Sequence, residues 1–386
     1  MRRRTGFAVV ELLVASVILL VLTGGLFAVL APGPSASRAR ASAIDIQQRL
    51  RAAAEAVGAE VSLAGNGPSN GASGQPFGAM AASVLPFRVG PRGDPDGTAR
   101  VDALTVLSVK GVEASATLLT AWVPSGGGAF LSMAPGCPAA DASCGFRAGG
   151  AALLLDGHGQ ADLFRVDDVA GNLLSLSPRG RTSGRGFPAG SVVVPVAVSS
   201  YYLKPATASD GAQLMSGDGD QSDMPLVDHV TRLSFELFGE PRAPVLQASA
   251  SPPRASYGPA PPLPSEDDLR DTWGTGENCT FVLAAGGQVS RLPSVAGGTG
   301  LVPMSPAMLT DGPWCPDASA PGRYDADLFR VRAVRVTVRV EASSSASRGR
   351  DAALFAHPGS SRDSSAPAAD QQIVFDIVPR ALQRAR

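Results

Sequence analysis

An apolar run from Phe7 to Leu30, interrupted by a single charge at Glu11, sets the terms for everything that follows it. At about 1.5 Å per residue, such a run makes a helix of roughly 36 Å, enough to cross the hydrocarbon core of a bilayer. Arg2, Arg3 and Arg4 precede it and belong on the cytoplasmic side, which sends the rest of the chain to the opposite face. A carboxylate in a membrane helix costs about 2.5–3.5 kcal/mol at the centre and less near the interface. A plain anchor or a secretory signal gains nothing from that cost, so Glu11 is a candidate functional residue that needs a partner. Val29-Leu30-Ala31 could pass as a signal-peptidase site, but the charge and the length of the run argue against that reading.

Pro32-Gly33-Pro34 should break or kink the helix. A second, amphipathic helix is expected from about Ser42 to Leu63. Ile46, Leu50, Ala53, Ala54, Val57, Val61 and Ala64 recur at three- and four-residue spacing on one face. Gly65-Asn66-Gly67-Pro68 ends it. The chain therefore reads as a short basic N-terminal segment (1–6), a transmembrane helix (7–31), a kink and amphipathic helix (32–66) and a β-rich extracytoplasmic region (67–386).

Beyond residue 100 the period changes to two. Val101–Val109, Ala151–Leu155, Leu163–Val169, Leu173–Leu176, Ser191–Val198 leading into Tyr201-Tyr202, and His229–Phe238 read as strands. Val334, Val336, Val338 and Val340 alternate with polar residues, and Ile373, Phe375 and Ile377 form a last strand. Many short strands imply an antiparallel sheet and an α+β fold. Two stretches, about 241–271 and 343–370, are rich in Pro, Ala and Ser or in Ser, Ala and Arg and read as surface loops without packed structure. Ala161-Asp162-Leu163-Phe164-Arg165-Val166 recurs at Ala326 to Val331, which reads as shared strand composition and not as a duplicated domain.

No catalytic constellation emerges. His158, His229 and His357 are scattered, and the one G-x-S-x-G string, Gly67 to Gly71, follows a helix where a nucleophile elbow needs a strand. Asp218, Asp220 and Asp223, with Asp228 beyond, could offer oxygen ligands to calcium, but the EF-hand pattern fails and a solvated turn is the simpler reading. Arg332, Arg335 and Arg339 could form a basic stripe for DNA; with interleaved aromatics missing and a formal net charge of −1, an ordinary solvated strand face is expected instead. No enzyme activity, cofactor, metal or nucleic-acid partner is expected.

The string Gly6-Phe7-Ala8-Val9-Val10-Glu11 after basic residues, followed by a long apolar helix, resembles the class III leader of type IV prepilins. The resemblance implies cleavage after Gly6 by a prepilin peptidase, N-methylation of Phe7, and pairing of Glu11 with the N-terminal amine of a neighbouring pilin subunit during assembly. It also implies a pilin-like α+β fold, with the N-terminal helix packed on an antiparallel β domain with long loops. More weakly, Arg49 to Gly65, Val101 to Val106, Val334 to Val340 and Phe375 to Arg380 resemble PilW-type and GspJ-type minor subunits. The expected role is a minor type IV pilin in pilus assembly, initiation or a tip complex, held first in the inner membrane and then in a pilus. The alternatives are a type II secretion minor pseudopilin, or a membrane-tethered binding or enzyme domain.

Cys137, Cys144, Cys279 and Cys315 form two sequence-local pairs in a chain that is exported. Short loops close most easily, so Cys137–Cys144 and Cys279–Cys315 are the expected disulfides. Non-reducing peptide mapping of the native protein should recover both bridges, and four alkylatable thiols would refute them.

Overall fold

In a computed structural model, residues 9–30, 32–67, 77–109, 115–133, 145–155, 161–180, 182, 184–205, 211–220, 222–243, 280–284, 287–290, 292–315, 321–361 and 367–384 are described. The chain divides into two compact units, Met1–Leu50 with Arg339–Gln371, and Arg51–Val338 with Gln372–Arg386.

Helix α1 (Val9–Leu30) is followed by α2 (Pro32–Ser62). The second helix thus starts at Pro32 and not near Ser42. The first four N–H groups of a helix have no intrahelical acceptor, so prolines in the first turn remove no hydrogen bond, and their fixed φ suits the helix. Pro32-Gly33-Pro34 therefore opens α2; Ala31 lies outside the described residues. The apolar face read from the sequence is buried at Ile46, Leu50, Ala53, Val57 and Val61. From Arg51 onward that face lies on a sheet. The Tyr201 hydroxyl donates to the Ala56 carbonyl at 3.2 Å, and Ser199 Oγ donates to the Glu60 carboxylate at 3.3 Å. The helix stops at Gly65, whose φ of 74° is a left-handed cap and whose N–H donates to Leu107 O. A short helix α3 (Phe77–Met80) precedes the strands, and α4 (Arg380–Arg384) follows them.

The strands are, in chain order, β1 (Val84–Leu85), β2 (Ala103–Ser108), β3 (Ala116–Leu118), β4 (Ala129–Met133), β5 (Ala151–Leu155) and β6 (Ala161–Ala170). Next come β7 (Leu173–Pro178), β8 (Val192–Pro205), β9 (Ala212–Gly217), β10 (Asp223–Gly239), β11 (Phe281–Ala284) and β12 (Gly287–Ser290). The last are β13 (Val302–Met304), β14 (Trp314–Cys315), β15 (Tyr324–Asp325), β16 (Val331–Val340) and β17 (Gln371–Ile377). Thirteen of them form one antiparallel sheet; β11–β12 and β14–β15 are separate two-stranded ribbons. The fold is α+β, as the sequence implied.

Strand β8 does two jobs. Its first half pairs with β3 through Val192 and Val193 and with β5 through Val192 to Val196. Following the ladders β8–β3–β4–β7–β6–β5 and back to β8 closes a barrel. Its second half pairs with β2 through Ala197 to Tyr202 and with β9 through Ser200 to Pro205. This half lies in the open sheet β1–β2–β8–β9–β10–β16–β17, beneath the part of α2 that starts at Arg51.

The barrel interior is packed shut. Alternation places Ala152 and Leu154 of β5 and Phe164 and Val166 of β6 inside, with Leu118, Leu131, Leu174 and Val193. Trp122 meets Phe164 edge-on at 5.1 Å between ring centres, and Phe164 meets Phe187 likewise at 5.9 Å. Trp122 Nε1 donates to Gly127 O at 2.8 Å, so the indole carries no unsatisfied donor into this core.

The two copies of the repeated hexapeptide differ. Ala161 to Val166 begins β6, where Ala161 to Arg165 pair with β5. At the second copy, Ala326–Arg330 is a 3₁₀ helix and only Val331 enters β16. Asp325 caps that turn by accepting from Asp327 N at 2.8 Å. Arg330, fully buried, donates to Asp327 and to the carbonyls of Pro241 and Pro293. Capping and a buried cation select the turn in one place; an available strand partner selects extension in the other.

The stretch 343–370 lacks strands among its described residues, but it is packed. Glu341 is fully buried, with Arg348 Nη1 at 3.0 Å and His357 Nδ1 at 2.9 Å from its Oε2. Asp370 accepts from Ala356 N at 2.7 Å and pairs with Arg339 at 3.1 Å. Polar pairing around a buried carboxylate joins the buried Ala342, Phe355 and Ala368 in holding the segment, which composition alone does not reveal. Of the stretch 241–271, residues from 244 on lie outside the described set.

Phe164→Ala should destabilise the protein by about 3–5 kcal/mol, the usual cost of emptying a buried aromatic site. Phe130→Ala, on an exposed position of β4, should stay within about 0.5 kcal/mol. Urea unfolding of the two variants against wild type measures both.

Candidate functional site

Helix α1 exposes apolar side chains on every face, from Val9 and Leu12 to Leu26 and Phe27. A helix that is apolar all round suits lipid, where no face needs water. Its hydroxyls fold back on the helix: Ser16 Oγ donates to Leu12 O at 2.8 Å and Thr23 Oγ1 to Leu19 O at 2.6 Å. Val9–Phe27 is long and apolar enough to cross a membrane, as an anchor or as a signal sequence. Glu11 is exposed in the first turn of α1, nearer the end of the span than its middle. Gly6 and Phe7 lie outside the described residues.

The arginines of β16 do not make a free basic stripe. Arg332 is buried and pairs with Glu240 at 3.3 Å, so the solvated-face expectation fails for it. Arg335 is bidentate to Asp376 at 2.7 and 2.9 Å, and Arg339 pairs with Asp370. Cys315 is buried and disulfide-bonded. Its partner, like Cys137, Cys144 and Cys279, lies outside the described residues, and no bridge has both sulfurs among the described residues.

The acidic turn is an internal brace. One Asp218 oxygen accepts from Asp220 N at 2.8 Å and Ser222 N at 3.2 Å. Burial would raise this carboxyl, but those amides and Arg179 hold it below its usual range. Arg179 Nη2 also donates to Asp218 O at 2.7 Å. Gly90, Gly180 and Gly219 meet here backbone to backbone, all at positive φ. A Cβ on Gly90 would lie 1.5 Å from the Gly219 carbonyl oxygen, so only glycine allows the approach.

These contacts fix one wall of a cleft of about 540 Å³. Its other walls come from the barrel surface and from Gly322 to Tyr324. Leu153 and Leu163 are direct partners across β5 and β6 and point away from the barrel interior, into the cleft lining. Arg88 lines it too, with Nε and Nη2 both donating to Asp94 Oδ1 and the guanidinium stacked over the Tyr202 ring at 4.7 Å. Burial would raise Asp94, but hydrogen bonds from Arg88 and Arg100 hold it below its usual range. Sequence reading missed this cleft. Its only local trace is the turn-rich segment Gly90 to Gly97, which says nothing about what that turn packs against.

Among the described residues one acidic trio, Asp311, Asp325 and Asp327, is close enough to share a cation. Two of the three are already engaged: Asp325 accepts from Gly312 N at 2.7 Å as well as from Asp327 N, and Asp327 takes Arg330. Asp325 and Asp327 cap and tie the 3₁₀ turn.

No protein-family model matches the chain, and no curated protein or solved structure is significantly similar to it.

Burial pushes the Asp325 carboxyl up to about 6, against an ordinary value near 3.8. The folded state therefore holds this proton more tightly than the unfolded chain. The stability this provides is present below about pH 4 and is lost as pH rises toward 6. Asp325→Asn lacks that dependence. The difference in melting temperature, wild type minus variant, should be largest near pH 4 and shrink through pH 6.

Proposed function

We propose that the chain is a minor pilin-like subunit, made as a prepilin, held in the inner membrane by α1 and then built into a type IV pilus or pseudopilus. The observation that carries this reading is an all-round apolar helix whose one carboxylate, Glu11, sits in its first turn. It is joined by the leader string Gly6-Phe7 ahead of that helix and by a second helix lying, from Arg51, on an antiparallel sheet. An anchor without a partner would gain by replacing Glu11 with an apolar residue. A subunit that must dock beside another has a use for the charge, since a neighbour's N-terminal amine would neutralise it in a medium of low dielectric. In this reading α1 packs among its counterparts in the filament core and the β domain faces outward. Prepilin peptidase and the other pilin subunits are its partners.

Glu11→Gln keeps the shape and removes the charge. Processing and membrane insertion should persist, while the amount recovered in sheared filaments should fall about tenfold or more, the loss of a charge-assisted bond worth about 1.5–3 kcal/mol. The mature native chain should begin at Phe7, methylated on nitrogen, by N-terminal peptide mass. Wild-type incorporation of Glu11→Gln, or a mature start near Pro32, would overturn the reading.

A further inference from the structure

The cleft beside the barrel has the makings of a binding site, independently of any filament role. Its lining is divided by chemistry. One part is apolar: Leu85, Phe87 and Leu107, with Leu153 and Leu163 on the outer barrel wall. The other part is polar and carries both signs, with Asp94, Asp96 and Asp162 beside Arg88, Arg179 and Arg323. Arg179 and Tyr324 both line the cleft. Both are more than nine-tenths buried. Arg179 Nε and the Tyr324 hydroxyl have no hydrogen-bond acceptor among the described residues. A buried donor left unmatched costs about 1–3 kcal/mol, so an acceptor delivered there is favoured twice, by the bond made and by the penalty relieved. An arginine Nε can only donate, and a phenol hydroxyl can donate, so the complement must accept. The volume falls within the range of small-molecule sites, which bury an apolar body and fix it with a few polar groups. The meeting of Gly90, Gly180 and Gly219 holds the wall in place before anything binds.

We propose that this cleft binds a small organic molecule with an apolar body and an oxygen-acceptor head, a carboxylate or a carbonyl, with the body against Leu153 and Leu163 and the head toward Arg179 and Tyr324. A cationic head would find no acceptor at Arg179 Nε or at the Tyr324 hydroxyl acting as donor, so the acid is favoured over a matched amine.

The test uses the full chain in lipid nanodiscs and fluorine NMR, with 4-fluorophenylacetate as probe, 4-fluorobenzylamine as a matched body with a cationic head, and empty nanodiscs as background. Saturable broadening of the acid, and clearly weaker broadening of the amine, is expected with wild type. Leu163→Trp, which fills the cleft from the barrel wall, should abolish it at an unchanged unfolding midpoint. Tyr324→Phe, which removes one hydroxyl and keeps the packing, should weaken it about three- to tenfold. Absence of saturable acid binding to wild type, equal binding of the amine, or full binding by either folded variant would overturn the proposal.

Discussion

Strand β8 is the member on which the rest of the β structure depends. Its first half completes the ring of ladders that closes the barrel, and its second half pairs with β2 and β9 inside the open sheet. Every residue of the strand is paired on at least one edge, and Val192, Val193 and Ser200 to Tyr202 are paired on both. Val193, Val194, Tyr201 and Tyr202 are buried in turn, so one continuous strand carries apolar contacts for two cores. Either half alone would be a short sheet with an unpaired margin.

The junction made by that sharing has a consequence. A closed barrel turns half of its residues outward, and on β5 and β6 the outward residues Leu153 and Leu163 are apolar. They need cover, and the turn-rich segment ahead of β2 supplies it only in part, held off by the three-glycine contact. The cleft is what remains between a wall that must be covered and a cover whose backbone cannot come closer.

Charge is handled differently in the two units. In the unit containing Arg339–Gln371, a buried carboxylate, Glu341, gathers Arg348 and His357 and organises a segment with little regular structure. In the other, Arg330 is the buried member and draws Asp327 and two proline carbonyls to itself. Buried ions are costly unless each is bonded; Arg330 combines the nearby Asp327 with two carbonyls far off in sequence, and Glu341 draws its partners from within its own segment.

Much of the architecture was legible in the residues. The run from Phe7 to Leu30 could be nothing but a long apolar helix, the 3.6-residue period on α2 gave its buried face, and the two-residue period of Val334 to Val340 gave β16. In each case the requirement is local: burial of one face, or of every face, is written into residue spacing. Barrel closure, the cleft, the packing of 343–361 and the start of α2 at Pro32 were not legible. The hexapeptide Ala-Asp-Leu-Phe-Arg-Val shows why. As part of β6 it is extended because β5 offers a ladder, and after Asp325 it coils because a cap and a buried arginine reward the turn. The sequence by itself determined where the chain must avoid water. Only the tertiary structure decided which distant backbone or charge would answer each polar group, because those partners are supplied by chain that lies far away along the sequence.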